Sequence, residues 1–305
     1  MTGFALRRLA IALSVAFAVS IISFGLLYLS GDLAIALAGP TPDYAQIELI
    51  RKQYGLDRPL VVQYADWLGS ALRGDFGQSA YYKTPVREIL AERLPVTMTL
   101  GATSILFALA VGIPLGVVAA IRPNSLIDRL ALAISVVGQA LPTFWFALIL
   151  IVLFSLVLPI LPPSGDAGWE NFVMPTVALG YAAVPGLTRL TRTGMLEVLA
   201  ADYIRTARAK GLRQGKILFK HALRNATIPV VSLAAVQLGF MLGGSVVVET
   251  VFGLHGTGFM AWEAIKNNDY PTVQAVLLVF ALIYIVLTLV ADLLNAWLDP
   301  RLRLA

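Results

Sequence analysis

The sequence contains no cysteine and only two histidines, His221 and His255. Without cysteine the chain has no disulfide, no thiolate metal site and no cysteine nucleophile. Two histidines, far apart in the chain, offer little for a zinc site or a histidine general base. We therefore expect neither a catalytic residue nor a metal site on this chain.

Charged residues are also scarce. They make up 13% of the chain, whereas about 25% is usual in globular proteins. Hydrophobic residues reach 58% and the mean hydropathy is +0.79. This composition excludes a disordered chain, a coiled coil and a nucleic-acid-binding module that works through dense charge. It indicates a polytopic membrane protein instead of the two soluble domains that 305 residues would otherwise suggest.

Six uncharged runs are long enough to cross a bilayer, because about 20 apolar residues span a roughly 30 Å hydrocarbon core. They cover residues 9–30, 94–121, 130–158, 172–188, 226–248 and 273–291. The first could be a cleaved signal peptide, but it is too long for a signal core and five more runs follow. We therefore predict an all-α membrane protein with six transmembrane helices, the first being a signal-anchor over residues 1–30.

The positions of lysine and arginine predict the orientation. With the N-terminus inside the cell, the inner segments are strongly basic and include the loop 189–224 and the tail 299–305. The two short outer loops hold Lys266 as their one basic residue. Both termini are therefore expected in the cytoplasm. Basic inner loops account for the net charge of +5.

Residues 31–93 are too long for a simple connector and predict a small helical region outside the cell. Thr41 and Pro42 could begin a helix that ends at Gly55, and a further helix could begin after Thr84 and Pro85. Between them, apolar residues recur at helical spacing: Val61, Tyr64, Ala65, Leu68 and Leu72. The region could be a folded plug that stabilises the outer face, or a docking or gating surface.

The loop 189–224 lies inside the predicted five-helix core of residues 94–298. It predicts two helices, 196–210 and 213–224, separated at Gly211, which suits a left-handed turn. Small residues before the turn would let another backbone approach closely: Thr206, Ala207 and Ala209. In the second helix, basic residues 213, 216, 220 and 224 form one stripe. Leu218, Phe219, Ala222 and Leu223 lie broadly opposite that stripe.

Two interpretations of this loop remain. A basic helix lying on anionic lipid would explain its charge. A helical hairpin that docks onto a soluble partner would also explain the small residues and the glycine break. Residues 211–217 resemble a phosphate-binding loop, but the glycine spacing is one residue short and Ile217 replaces the required hydroxyl. Any nucleotide chemistry must therefore lie on another chain.

Several stretches, in this order, resemble the membrane subunits of ABC importers, and most closely the first permease subunit of the dipeptide/oligopeptide family. The loop motifs lie at 201–211, 221–226 and 228–229, and the others at 54–60, 73–77, 112–116, 141–145, 249–253, 269–271 and 298–301. In the general Glu-Ala-Ala loop pattern, Arg205, Thr206 and Ala207 occupy the first three positions and Gly211 the glycine. The acid of that pattern is absent, as in the peptide branch of the family.

The resemblance implies a coupling helix that seats in a groove on an ATPase subunit. Its residues would be Asp202, Tyr203, Arg205, Thr206, Ala207, Arg208, Ala209, Lys210 and Gly211. It implies a bacterial inner-membrane location and, as partners, a second homologous permease subunit, two ATPase subunits that bind ATP and Mg, and a periplasmic binding protein. Membrane lipid is a further partner, and nucleic acid is not expected. This chain would carry no cofactor.

The same resemblance implies short peptides as substrates, although the family also transports nickel chelates, glutathione and opines. A rival hypothesis, a proton-coupled secondary transporter, would place titratable groups in mid-membrane, and the central runs have none. Polar groups within the runs are candidates for the substrate path, and we name Gln139 and Gln237. Pro114 could form a hinge or lie in a tight helix contact, and Asp292 is expected either to snorkel or to pair with a nearby arginine.

Overall fold

The computed structural model describes residues 2–29, 34–35, 43–53 and 55–298, with the side chains of 2–4, 26–29, 138–139 and 295–298 left out. Every regular element in these ranges is helical, apart from one isolated backbone bridge between Gln78 and Pro85. The predicted helix start at Thr41 and Pro42 and the tail 299–305 lie outside the described residues.

The helices are α1 (Thr2–Leu29), α2 (Tyr44–Gln53), α3 (Leu60–Ala71), α4 (Val86–Ile121), α5 (Leu126–Ala140), α6 (Thr143–Ile151, extended by a π-helical turn at Val152–Val157), α7 (Glu170–Tyr181), α8 (Val184–Leu199), α9 (Asp202–Ala209), α10 (Gln214–Lys216, the π-helical Ile217–Leu223 and Arg224–Ala226), α11 (Ile228–Phe252), α12 (Thr257–Lys266) and α13 (Tyr270–Leu298).

Within the described part of the chain, four helices are long and apolar enough to cross a membrane. Their spans are Ala5–Gly25, Val86–Ile121, Ile228–Phe252 and Tyr270–Leu294. They correspond to the first, second, fifth and sixth predicted runs. The prediction of an all-helical protein with several long apolar helices is therefore confirmed.

The third and fourth predicted runs are each divided into two helices, so one continuous helix over either run was wrong. In the third run, Leu141 and Pro142 have extended backbone and separate α5 from α6. Proline fixes its own φ and disfavours helical backbone in the residue before it. In the fourth run, Ala182 and Ala183 form a turn, and Pro185 opens α8, where its missing N–H costs nothing.

Helix α4 is the longest helix among the described residues and runs without interruption through the predicted boundary between residues 93 and 94. It begins directly after Pro85, as the sequence predicted, and contains Pro95 and Pro114. At 36 residues it is about 54 Å long, so it extends well beyond a bilayer core.

Helices α4 and α8 pack closely because glycines lie at their contact. A Cβ on Gly112 would lie 2.9 Å from the Cβ of Leu187, and one on Gly116 would lie 2.6 Å from the Cβ of Thr191. Only glycine permits such an approach. The tight-packing interpretation of the segment around Pro114 is thereby confirmed.

The 200–226 segment marks one end of the helix bundle, here termed the loop end. At this end Arg8 of α1 and Asp292 of α13 form an ion pair of 2.7 Å, which confirms the expected pairing of Asp292 with an arginine. The end that carries residues 55–85 and 253–270 is termed the opposite end.

Buried carboxylates join helices at the opposite end. Glu249 has no exposed surface and accepts hydrogen bonds of 2.8 Å from the Thr97 hydroxyl and from the backbone N–H of Phe259. It thereby connects α11 to α4 and to the N-terminus of α12, where backbone N–H groups lack helical partners.

Asp269 plays a similar part directly before α13. It is fully buried, accepts a hydrogen bond from the Ser79 hydroxyl, and accepts others from Ala80 N (3.0 Å) and the Thr272 hydroxyl (2.7 Å). These bonds fasten the segment before α4 to the start of α13. Each of the two buried carboxyl groups has hydrogen-bond partners, as a buried polar group requires.

Candidate functional site

Helix α9 contains most of the predicted coupling residues and rests on the loop ends of α4 and α8. Ile204 and Ala207 are its buried residues, and they pack with Val117, Ala120 and Met195. The other predicted coupling residues of this segment are exposed: Asp202, Tyr203, Arg205, Thr206, Arg208, Ala209, Lys210 and Gly211. Ile204 and Ala207 therefore form the buried contact of α9 with α4 and α8, here termed the seat of α9. The exposed residues form its outward face.

The boundaries of α9 differ from the prediction at one end. The predicted helix 196–210 is interrupted, because α8 ends at Leu199 and Ala201 has extended backbone before Asp202 starts α9. A single helix over 196–210 was wrong. The break allows α9 to change direction and lie across the ends of α4 and α8.

The other end of α9 agrees with the prediction. Gly211 has a φ of +71°, in the left-handed region that glycine adopts readily. A Cβ at this position would meet nothing within 4 Å. The requirement for glycine is therefore one of backbone conformation and not of space.

Helix α10 contains a π-helical segment, Ile217–Leu223, that the sequence did not predict. Its buried residues, Ile217 and Ala222, are five positions apart, as the wider π-helical turn requires. Phe219, which the sequence analysis placed broadly opposite the basic stripe, is 67% exposed.

Polar contacts fix the hairpin formed by α9 and α10. The Asn225 amide donates a hydrogen bond of 2.9 Å to the Tyr203 hydroxyl across the two helices. Arg205 and Asp202 lie 3.7 Å apart, and both side chains are largely exposed. Such a pair adds at most a few tenths of a kcal/mol.

Helix α8 is joined to α5 by a partly buried ion pair that the sequence analysis missed. Arg192 donates to both carboxylate oxygens of Asp128, over 2.8 Å from Nε and 2.6 Å from Nη2. Asp128 also accepts a hydrogen bond of 2.8 Å from the backbone of Asn124. The hydrogen bond from Arg192 is the main reason that the pKa of Asp128 lies below its usual value. The two residues are 64 positions apart, so spacing gave no signal.

A cavity of ≈ 250 Å³ lies between α6, α7 and α11, beside the turn that precedes α8. Its lining residues are Thr143, Leu179, Ala182, Ala183, Gln237, Phe240, Met241 and Gly244. The predicted path residue Gln237 is thus at the cavity wall, half-buried. The side chain of Gln139, the other predicted path residue, lies outside the described residues.

Both helix interruptions border this cavity. Thr143 follows the break at Pro142, and Ala182 and Ala183 form the break between α7 and α8. At Leu141 and Pro142 the backbone is extended, and in a membrane such non-helical backbone is tolerated where it is enclosed by protein or lines a polar space. Ala182 and Ala183 keep helical backbone angles, so the second interruption is a turn between two helices. Pro142 and Pro185 signalled these breaks in the sequence, but nothing in it showed that the breaks converge.

Helix α8 connects the two parts of the site. It begins beside Ala183 at the cavity and ends at Leu199, two residues before α9. Its 16 residues extend over about 24 Å. Near its loop end, Met195 packs with the buried residues of α9, and Arg192 binds Asp128 of α5.

Two family models match the chain. The model described as "binding-protein-dependent transport system inner membrane component" matches residues 112–304, and the model for the N-terminal part of the same components matches residues 1–101. The glutathione transport system permease protein GsiC of Escherichia coli (strain K12) is 40% identical over 304 residues, 99% of each chain. The protein of the same name from Shigella dysenteriae serotype 1 (strain Sd197) gives the same values.

The fold also resembles that of a solved transporter. A structure described as an inward-facing conformation of the MetNI methionine ABC transporter matches with a TM-score of 0.56. The match covers 69% of this chain and 96% of the other at 22% identity. It therefore supports the helical arrangement alone.

The permeases of this family are non-catalytic and carry no cofactor, and their ATPase partners bind the ATP. A membrane subunit of such an importer works together with ATPase and binding-protein partners. This chain, which the family models match over most of its length, belongs to the binding-protein-dependent transport system inner membrane components and is the multi-pass permease subunit of a bacterial ABC importer.

Proposed function

We propose that the chain forms one half of the translocation path of an importer for short peptides or peptide-like solutes, with α9 as the coupling helix. The observation that carries this proposal is the position of α8, which has the cavity at one end and the seat of α9 at the other. Movement of α9 would therefore alter the cavity without any covalent chemistry on this chain.

The outward face of α9 suits a groove on an ATPase subunit. Small side chains at Thr206 and Ala209 are exposed and permit close approach, while Arg205 and Arg208 add positive charge beside them. Closure of two ATPases on ATP and Mg would draw two such helices together, one from each permease subunit. Ile204 would carry the movement inwards because it has no exposed surface.

We infer six membrane crossings with both termini in the cytoplasm. In this arrangement α5 with α6, and α7 with α8, form the interrupted third and fourth crossings. The basic loop containing α9 and α10 then faces the cytoplasm, in agreement with the positive-inside rule. The opposite end receives the periplasmic binding protein, and a second homologous permease completes the path.

The cavity supports an uncharged contact with the solute. Among its described lining residues none is charged, and Gln237 and Thr143 supply the polar side chains. The cavity volume of ≈ 250 Å³ is below the roughly 300–1,000 Å³ of complete small-molecule pockets. A smaller volume is expected if this chain supplies only one half of a path shared with a second subunit. The relatives named for glutathione transport make a small peptide-like solute the first ligand to test. A nickel chelate or an opine is the alternative.

The experiment compares Gly211→Pro with Gly215→Ala in the complete importer, reconstituted in proteoliposomes with its binding protein. Proline cannot adopt the φ of +71° found at Gly211. Gly215 has open space around its Cβ and no positive φ, so it is a matched control. We expect Gly211→Pro to insert and assemble but to lose ATP-driven uptake, and Gly215→Ala to keep it.

Normal uptake by Gly211→Pro would contradict the coupling role. Uptake driven by a proton gradient without ATP would indicate a secondary transporter instead. Calorimetric binding of glutathione, dipeptides, a nickel chelate and an opine to the binding protein would identify the solute class.

A further inference from the structure

Helix α3 packs against α1, the first membrane span. The Tyr64 hydroxyl and the Ser20 hydroxyl are hydrogen-bonded over 2.7 Å. The Tyr64 ring also makes edge contacts with Phe24 and Phe17, at centroid distances of 5.4 and 6.4 Å. Trp67, one turn further along α3, lies 5.7 Å from Phe24. These aromatic contacts place α3 beside the half of α1 that approaches the opposite end.

These contacts also fix the depth of α3. Phe17, Ser20 and Phe24 all belong to the apolar span Ala5–Gly25. The Ser23 hydroxyl donates a 3.4 Å hydrogen bond to the backbone oxygen of Gln274, in the first turns of α13 and of its own apolar span. Helix α3 therefore lies beside the part of the apolar span of α1 nearest the opposite end, close to the start of the apolar span of α13.

One face of α3 is apolar and exposed. Val61 and Leu72 are 79% and 80% exposed, and Ala65 lies between them and is exposed as well. Spacings of four and seven residues put these three positions on one stripe. Asp66, which pairs with Arg58 over 2.7 Å, lies roughly 100–140° further around the helix. The helix thus has an aromatic side on α1, an apolar side and a polar side.

Exposed apolar residues also lie on the part of α1 that contacts α3. Phe17, Ile21 and Ile22 are exposed although they lie within a membrane span, so lipid is their expected surroundings. An amphipathic helix at this depth, with tryptophan and tyrosine on one side, matches the properties of helices that lie in a membrane interface.

We propose that α3 is an interfacial membrane helix and that the stripe of Val61, Ala65 and Leu72 contacts lipid acyl chains. The helix would anchor the 55–85 segment to the bilayer, while Asp269 fastens the same segment to α13 through Ser79. With the orientation given under the proposed function, the leaflet concerned is the outer one. The lipid contact itself does not depend on that orientation or on the solute.

Single cysteines test this proposal cleanly because the natural chain has none. Spin labels at Val61→Cys and Leu72→Cys are compared with Ile22→Cys on α1 and with Asp66→Cys on the polar side of α3. The complete importer, with partner subunits free of cysteine, is placed in phospholipid nanodiscs. Collision rates with oxygen, which concentrates in lipid, and with a water-soluble nickel chelate are measured at each position.

We expect labels at Val61 and Leu72 to resemble the label at Ile22, with high oxygen and low nickel accessibility, and the label at Asp66 to show the reverse. High nickel accessibility at Val61 and Leu72 would overturn the proposal, because the stripe would then face water. Low accessibility to both reagents would also overturn it, since a protein partner would then cover the stripe. Neither result would affect the coupling role of α9, which the uptake assay tests separately.

Discussion

Replacing Ile204 by alanine should uncouple ATP hydrolysis from transport. Helix α9 has eight residues, with Ile204 and Ala207 as its buried side chains. Isolated helices shorter than about 12–15 residues are marginal in water, so the position of α9 depends on this seat. Removing a fully buried isoleucine side chain costs about 2–5 kcal/mol. Even the lower value changes the ratio of seated to unseated α9 about thirtyfold.

The assay is solute uptake per ATP hydrolysed by the complete importer in proteoliposomes. Ile204→Ala should retain ATP hydrolysis and lose most uptake. Ile204→Val, with a cost of about 0.5–1.5 kcal/mol, should fall between it and the natural protein. Phe219→Ala removes an exposed side chain from the adjacent helix and serves as the control. An unchanged ratio of uptake to hydrolysis in correctly assembled Ile204→Ala would refute the reasoning.

Three further predictions concern the packing and charges around α8. Gly116→Val should prevent stable folding, because its Cβ would lie 2.7 Å from a backbone oxygen of α8 and overpacking costs about 1–3 kcal/mol or more. The control is Gly243→Ala, which has open space around its Cβ and should not change the melting temperature in detergent. Asp128→Asn should lower the melting temperature at neutral pH, because the bond from Arg192 depresses the pKa of Asp128 in the folded state. Stability from a depressed carboxyl pKa is complete above the unfolded value of about 4 and is lost as pH falls through the lower folded value. The difference between the two proteins should therefore begin to shrink only below about pH 4, and a difference that stayed constant as the pH was lowered further would argue against the ion pair. Lys216→Ala should weaken ATPase binding by less than twofold in a pull-down titration, since Lys216 is exposed and one of several basic groups of α10; complete loss would contradict distributed contact with lipid.

The sequence predicted features that depend on local chemistry. Apolar length identified α1, α4, α11 and α13, and glycine preference identified the left-handed turn at Gly211. Such signals are carried by one residue or one continuous run, so they need no knowledge of tertiary contacts.

Features that depend on distant partners were not predictable. The pair formed by Asp128 and Arg192 joins residues far apart in sequence, and the cavity forms where breaks in two separate runs converge on Gln237. The π-helical segment around Ile217 changes the period on which a helical-face argument relies. These features arise from packing among helices and could not be found by spacing alone.

The central claim is that movement of α9 reaches the cavity through α8. An environment-sensitive fluorophore at Ala182→Cys, which is exposed at the cavity wall, would report this directly in the reconstituted importer. We expect trapping of the ATPases with ATP and vanadate to change its emission, and we expect Ile204→Ala to abolish that change. An equal change in both proteins would contradict transmission through the seat of α9.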